Sequence, residues 1–207
     1  MLFCDATQAA GKIRIDVEES GIDLLSLSAH KFYGPKGVGA LYVRRKNPRV
    51  VITPLIDGGG HENGLRSGTL NVPGIAGMGK ACELAQSLMW DDSSRVSKLR
   101  TVFEQSLTLL PGIFINGNIR SRIPNTTNLC FQGNESDILL HALRNVAASS
   151  GSACSSALMQ PSHVLKAMGL SYHDAHASVR FSFGRYTTEA EIHFAIEKIK
   201  SYLSSKS

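Results

Sequence analysis

Lys31 lies in an unusual place for a lysine, between a hydrophobic segment and a glycine-rich turn. It ends the tripeptide Ala29, His30, Lys31, which follows the mostly apolar residues 22–28 and precedes the turn at residues 34–37. A lysine at the end of a buried strand is unfavourable unless its charge is paired or its amine is used, because desolvation disfavours the ammonium form. One chemistry that suits this place is Schiff-base formation with pyridoxal phosphate, for which an aspartate keeps the pyridine nitrogen protonated.

Further polar residues follow the apolar segments on either side of this lysine. Asp5 and Gln8 come after the apolar residues 1–4, and Ser28 and His30 follow the second segment. In open α/β sheets, ligands bind where strands end at their carboxyl termini. Ser28 and His30 can donate hydrogen bonds to a phosphate, and Gln8 can donate to a phenolic oxygen. Each residue alone also has an ordinary alternative: Asp5 and Gln8 can form a capping box, and a lysine is usually solvated.

A glycine-rich loop at residues 58–60, followed by residues 66–69, forms a second motif. Backbone amides of such a loop, directly before a helix, can bind an anion at the helix N-terminus. A flexible loop in which Thr69 or Asn71 simply caps the helix explains the same residues. Both interpretations stay open.

Cys154 lies in a run of small polar residues, 149–156. This setting predicts an exposed and mobile thiol that can act as a nucleophile, whereas Cys4, Cys82 and Cys130 have apolar neighbours. A structural free cysteine in a small-residue loop is the alternative.

Arg180 belongs to the predicted strand at residues 178–183. If it points inward, it makes a bidentate contact with a carboxylate, either a buried protein side chain or a substrate.

Composition narrows the class of protein. The chain has 207 residues, of which 43% are hydrophobic, and a net charge of +5. It can therefore bury a core, while the scattered charge and the lack of a basic-aromatic motif argue against nucleic-acid binding. No apolar run reaches the ~20 residues of a membrane helix, and the four cysteines lack zinc-ligand spacing. We expect a cytoplasmic protein, in which Arg44, Arg45, Lys46 and Arg49 form a solvated hairpin end.

Strands and helices alternate along the chain, which predicts an α/β fold. The predicted strands are residues 1–4, 22–28, 38–45, 113–115, 127–131 and 178–183; the predicted helices are 72–88, 93–110, 136–145, 162–168 and 188–203. Ser136 is the expected N-cap of the third helix, and Thr187 or Thr188 that of the last. A change in composition near residue 88 predicts a boundary between a glycine-rich sheet part and a smaller α+β part.

Five motifs in this order resemble the class V aminotransferase family, and most closely its cysteine desulfurases that supply sulfur for iron–sulfur cluster assembly. They are DATQAAGK, SAHKFYGPKGVGALYVRR, GGGHENGLRSGT, SSGSACSS and VRFSFGR. The resemblance implies the fold of fold-type I pyridoxal-phosphate-dependent transferases. Residues 1–88 would be the C-terminal portion of the cofactor-binding large domain, and 89–207 the small C-terminal domain with the cysteine loop. We expect the chain to correspond to the C-terminal half of such an enzyme.

The resemblance also implies a role for each motif residue. Lys31 would carry the cofactor, Asp5 would pair with its pyridinium nitrogen, and Gln8 would contact its ring oxygen. Ser28 and His30 would hold the cofactor phosphate, and Thr69 would reach the phosphate of the cofactor in a neighbouring subunit. Arg180 would bind the substrate α-carboxylate, and Cys154 would become a persulfide. The role of Thr69 implies a homodimer.

The implied activity is removal of sulfur from L-cysteine, giving L-alanine and an enzyme persulfide that passes to an iron–sulfur scaffold protein or another acceptor. The SSGSAC pattern resembles the housekeeping branch with a long cysteine loop, in which Cys154 could transiently contact a nascent cluster. Two alternatives stay open: a selenocysteine lyase, and a truncated, non-catalytic remnant or interaction subunit.

Overall fold

The computed structural model describes residues 1–150 and 161–206. The chain divides into two compact units, Met1–Asp91 and Asp92–Ser207. Each unit contains a β-sheet, so the predicted mixed α/β class is confirmed. The identification of the two parts as a cofactor domain and a small domain stays a prediction.

The first unit contains a three-stranded sheet. Strands β1 (Phe3–Asp5), β2 (Leu24–Ser28) and β3 (Gly39–Val43) lie in the order β1-β2-β3. β1 and β2 are parallel, so the chain needs the long connection of residues 6–23 between them, whereas β3 returns antiparallel to β2. A 3-10 helix, Ala29–Phe32, continues directly from the end of β2.

Small residues form the support beneath this 3-10 helix. Ala29 is fully buried, and a Cβ added at Gly34 would lie only 2.9 Å from the Cβ of Ala29. A Cβ at Gly11 would lie 2.8 Å from that of Phe32. Glycine at these two places therefore permits a packing distance that a larger residue would prevent.

Arg44 is buried at the end of β3, so the expectation that it belongs to a solvated hairpin end is wrong. Its guanidinium donates to Glu18 Oε2 at 2.6 Å and to the carbonyl oxygens of Val17 and Ile22. Its Nε also lies 3.3 Å from Asp23 Oδ1. The arginine thus joins β3 to the connection between β1 and β2. Its basic neighbours in the sequence suggested a solvated residue instead.

The second unit contains a four-stranded antiparallel sheet and most of the helices. The strands are β4 (Ile113–Ile115), β5 (Thr126–Phe131), β6 (Ser149–Ser150) and β7 (Ser178–Ser182), in the order β4-β5-β7-β6. The α-helices within residues 1–150 and 161–206 are α1 (Val72–Thr108), α2 (Ser136–Ala142), α3 (His163–Ala167), α4 (Tyr172–His176) and α5 (Glu189–Ser204). No helix in the described ranges combines the length and apolar character needed to cross a membrane.

One face of the four-stranded sheet packs against α1 and α5. Its core includes Phe103, Leu129, Val179, Phe181 and Ile199, all nearly inaccessible to solvent. The rings of Phe103 and Phe181 are 4.8 Å apart between centroids. Because side chains alternate along a strand, the residues between these core positions lie on the opposite face of the sheet.

Every predicted strand overlaps a strand of the structure, but the prediction of two helices over residues 72–110 is wrong. The chain forms the single helix α1, because Val96 and Leu99 continue its apolar face into the core. Asp92, which looks like part of a break in the sequence, pairs instead with Arg185 at 2.6 Å.

The N-cap of α5 is the predicted residue, whereas that of α2 is not. Thr188 caps α5 through a capping box with Glu191, as expected. Ser136 is not an N-cap; Glu135 occupies that position, and Ser136 is a buried residue of the first turn of α2.

A buried ionic cluster joins α1 to the loop before β5. Arg122 donates to both carboxylate oxygens of Glu104, at 2.6 and 2.8 Å, and Arg100 Nε lies 3.7 Å from Glu104 Oε1. Burial lowers the pKa of Arg100, and the positive charge of Arg122 lowers it further. The negative charge of one carboxylate therefore balances the positive charges of two largely buried guanidinium groups.

We predict that Glu104→Gln lowers the free energy of unfolding of the protein by about 3 kcal/mol, because both arginines would lose their only counter-charge in this cluster. The matched control is Glu83→Gln, which removes the exposed ion pair with Lys80 and should change stability little. Urea denaturation of both variants measures the difference. Equal midpoints for Glu104→Gln and the wild-type protein would contradict the prediction.

Candidate functional site

The predicted ligand residues of the first unit meet at one edge of its sheet. In the parallel pair of β1 and β2, Asp5 lies opposite Ser26, so the carboxyl ends of both strands lie at the same edge. Ser28 ends β2, and His30 and Lys31 follow in the 3-10 helix, both exposed. The structure therefore brings together residues that the sequence places in separate segments.

Asp5 is an exposed carboxylate that hydrogen bonds keep ionised. Its Oδ1 accepts a hydrogen bond from the amide of Thr7 at 2.9 Å. Hydrogen bonds from the hydroxyl and amide of Thr7, with a smaller contribution from the Ser26 hydroxyl, lower the pKa of Asp5 below its ordinary value. Asp5 thus caps its own turn through Thr7, and no described hydrogen bond forms the alternative capping box with Gln8.

Ser28 and His30 form a hydrogen-bonded pair. The Ser28 hydroxyl and His30 Nδ1 are 2.9 Å apart. This contact holds the imidazole beside the end of β2, where two polar groups of neighbouring positions can bind the same anion.

Lys31 extends from a rigid base. The residues on either side of His30 and Lys31, namely Ala29 and Phe32, are buried, and Tyr33 ends the 3-10 helix with a left-handed φ of 70°. The backbone of Lys31 is therefore held by packing while its side chain reaches solvent.

Lys12 is a residue of this edge that the sequence reasoning missed. Its Nζ donates to the carbonyl oxygen of Gln8 at 2.9 Å and to that of Lys31 at 3.2 Å. Burial lowers the pKa of Lys12, and the nearby charge of Lys31 adds to the effect. Lys12 joins the turn after β1 to the 3-10 helix, so it links Gln8 to Lys31. Its only sequence signal was its place in the DATQAAGK motif.

The glycine-rich loop before α1 is ordered by its own hydrogen bonds. The buried Ser67 accepts a hydrogen bond from the Gly60 amide at 3.2 Å through its hydroxyl oxygen. Asn71 Oδ1 accepts one from the Gly74 amide, so Asn71 caps α1, which was one of the predicted alternatives. Thr69 is exposed, and no hydrogen bond among the described residues joins it to the strand-end group, by which we mean Asp5, Ser28, His30 and Lys31.

A groove of the first unit lies away from the strand-end group. An open groove of about 870 Å³ runs between β3, the loop before α1 and the first turns of α1. Arg45, Arg66 and Cys82 line it together with apolar side chains, and none of the predicted cofactor residues does. The position of this groove therefore does not identify the strand-end group as a binding site. The group is identified instead by the types of its polar side chains.

Arg180 is exposed and lies on the face of β7 opposite Val179 and Phe181, so the expectation that it points inward is wrong. Val179 and Phe181 occupy the core face, and strand alternation places Arg180 opposite to them. Within residues 1–150 and 161–206, Arg180 makes no ion pair, which argues against the alternative of a buried structural salt bridge. Its register partners are Asn128 on β5 and Ser149 on β6.

The cysteines differ in exposure and acidity. Cys130 is fully buried, and burial together with nearby Asp174 raises its pKa to about 11, which makes it a poor nucleophile at neutral pH. Cys82 is exposed, although it lies among apolar side chains of the groove. Cys154, the predicted nucleophile, lies outside the described residues.

Comparison with known proteins gives consistent matches over nearly the whole chain. The family model described as aminotransferase class-V matches residues 1–194. The chain is 54% identical over 200 residues to the cysteine desulfurase IscS of Anaeromyxobacter dehalogenans, covering 95% of this chain and 48% of that protein. It is 52% identical over 196 residues to IscS of Vibrio cholerae serotype O1, again covering 95% and 48%. The chain thus spans about half the length of the curated relatives it matches.

Solved structures show the same half-length correspondence. A NifS-like protein from Rickettsia africae matches with a TM-score of 0.87 and 32% identity, covering 98% of this chain and 53% of that one. A structure titled as SspA in complex with cysteine matches with a TM-score of 0.68 and 37% identity, covering 90% and 51%.

Proposed function

We propose that this chain, which belongs to the aminotransferase class-V family, works as part of a cysteine desulfurase. It would carry the lysine that attaches the cofactor and the cysteine that accepts the sulfur. The observation that carries the proposal is the grouping of Asp5, Ser28, His30 and Lys31 at one sheet edge. Cys154 is the proposed sulfur acceptor.

The residues at this edge fit pyridoxal phosphate by their chemistry. Asp5, whose pKa is lowered by its hydrogen bonds, suits a protonated pyridine nitrogen. The Ser28 and His30 pair suits the phosphate, and Gln8 suits the ring oxygen. Lys31 Nζ is the group that attaches the cofactor. When bound, pyridoxal phosphate supplies an electron sink for bonds broken at the substrate α-carbon.

The proposed reaction transfers one sulfur atom from L-cysteine to Cys154. The carbon–sulfur bond of the substrate breaks and a sulfur–sulfur bond forms at Cys154 Sγ, while the protons of the two thiols end on L-alanine and the persulfide. No other oxidant or reductant is needed, because the products contain the same atoms as L-cysteine and the Cys154 thiol. Arg180 binds the α-carboxylate, for which its exposed guanidinium on β7 is suited.

Two observations support the substrate and the acceptor. The relatives are named cysteine desulfurases, and one structurally similar protein is described in complex with cysteine. The raised pKa of Cys130 argues against that thiol as the acceptor.

We further propose that Thr69 contacts a neighbouring subunit's cofactor in a homodimer. A cytoplasmic iron–sulfur scaffold protein would then take the sulfur, and Cys154 would transiently contact the cluster.

The test uses the complete protein with pyridoxal phosphate and L-cysteine. We expect a yellow protein and, with a thiol reductant present, equal amounts of L-alanine and sulfide. A faster reaction with L-selenocysteine would favour the selenocysteine lyase alternative. A protein that stays colourless and forms no L-alanine would contradict the proposal and support a non-catalytic interaction subunit.

A further inference from the structure

A second hydrogen-bond donor lies beside Arg180, on the face of the sheet opposite Leu129 and Val179. Asn128 of β5 is the direct antiparallel partner of Arg180. Side chains of directly opposed residues share one face of a sheet, with Cβ atoms about 5 Å apart. Leu129 and Val179, the next residues of the two strands, are both buried in the core. Asn128 and Arg180 therefore lie together on the opposite face.

A chain of hydrogen bonds determines which way the Asn128 amide is turned. It begins at the main-chain carbonyl of Asp174, which can only accept. The Ser178 hydroxyl donates to that oxygen at 2.6 Å, so its own oxygen must accept from Asn116 Nδ2, which is 2.9 Å away. The same Asn116 Nδ2 donates to Asn128 Oδ1 at 2.6 Å. Asn128 thus presents its oxygen to Asn116.

The consequence is an amide nitrogen turned away from Asn116. Asn128 Nδ2 has no hydrogen-bond partner among residues 1–150 and 161–206, and Arg180 makes no ion pair there. The two side chains together offer N–H donors and no free acceptor. Such a pair fits an anion with two oxygens, since a carboxylate can accept from a guanidinium and an amide at the same time.

We propose that Asn128 donates a hydrogen bond to the substrate α-carboxylate that Arg180 binds. This inference rests on the proposed function of Arg180. Asn116 and Ser178 act as positioning residues, because they keep the Asn128 oxygen turned inward and the nitrogen available. The pair selects amino acids over amines that lack the carboxylate.

The test compares ligand binding to the complete, cofactor-loaded protein by calorimetry. L-alanine is the probe with an α-carboxylate, and ethylamine is the matched probe without one. The main variant is Asn128→Asp, which keeps an oxygen for Asn116 and replaces the donating nitrogen with an anionic oxygen. Thr126→Val, one pair farther along the same face of β5, is the control.

We expect Asn128→Asp to weaken L-alanine binding at least tenfold, and Asn128→Ala about tenfold, the usual effect of a lost hydrogen bond to a charged group. Ethylamine binding should stay unchanged in both variants, which also shows that they are folded. In turnover, Asn128→Ala should raise KM for L-cysteine more than it lowers kcat.

The outcomes separate this inference from the proposed function. If Arg180→Gln weakens L-alanine binding while Asn128→Asp leaves it at the wild-type value, the role of Asn128 is wrong and that of Arg180 stands. If neither variant changes L-alanine binding, both the carboxylate site and the inference fail.

Discussion

Replacing Lys31 with alanine should leave a folded protein to which pyridoxal phosphate no longer attaches covalently. L-alanine formation from L-cysteine should fall by a factor on the order of 10³ or more, because the attaching amine is lost. The fold should survive, because the Lys31 side chain is exposed while Ala29 and Phe32 hold the 3-10 helix in place. The variant thus separates chemistry from stability.

Borohydride reduction followed by peptide mapping measures the attachment directly. In the wild-type protein, the reduced cofactor should be found on Lys31. Lys36→Ala, which removes an exposed lysine from the adjacent turn, is the matched control and should retain the label on Lys31. Label found on a different lysine in the wild-type protein would show that Lys31 is not the attachment site.

Replacing Cys154 with alanine should stop sulfur transfer while the cofactor colour is kept. The substrate sulfur would then have no thiol to accept it, so sulfide release should fall by a factor on the order of 10³ or more. Alkylation and mass spectrometry after a single addition of L-cysteine should find one extra sulfur on Cys154 in the wild-type protein and none in the variant.

The other cysteines provide the controls. Cys130→Ala should keep turnover, because burial already suppresses the thiolate of that residue. Cys82→Ala is the more stringent control, since Cys82 is exposed and can compete as an acceptor. An extra sulfur on Cys82, or unchanged sulfide release by Cys154→Ala, would rule out the proposed role of Cys154.

Local patterns predicted the strands well because their signals lie within a few residues. β4 has the predicted bounds, Ile113–Ile115, since Pro111 and Gly112 separate its short apolar run from the preceding helix. The continuity of α1 could not be predicted in this way. Asp91, Asp92 and the serines after them resemble a helix break, whereas in the folded chain Asp92 lies within the helix and pairs with the distant Arg185.

The strand-end group could be anticipated from polar residues that follow apolar runs, but the contacts that organise it could not. Lys12 contacts two main-chain oxygens, and nothing in its local pattern distinguishes it from a solvated lysine. The buried Arg44 and the outward-facing Arg180 were misjudged for the same reason: their surroundings come from segments distant in the chain.

The packing beneath the 3-10 helix has a consequence for entropy. The small side chains there lose almost no rotamer freedom when the protein folds, unlike the leucines and methionines of an ordinary core. Lys31, by contrast, retains its rotatable bonds above a buried cluster in which every member except Phe32 is an alanine. We therefore expect side-chain motion here to lie in the exposed Lys31 rather than in the alanines beneath it. These alanines are Ala10, Ala29, Ala81 and Ala85.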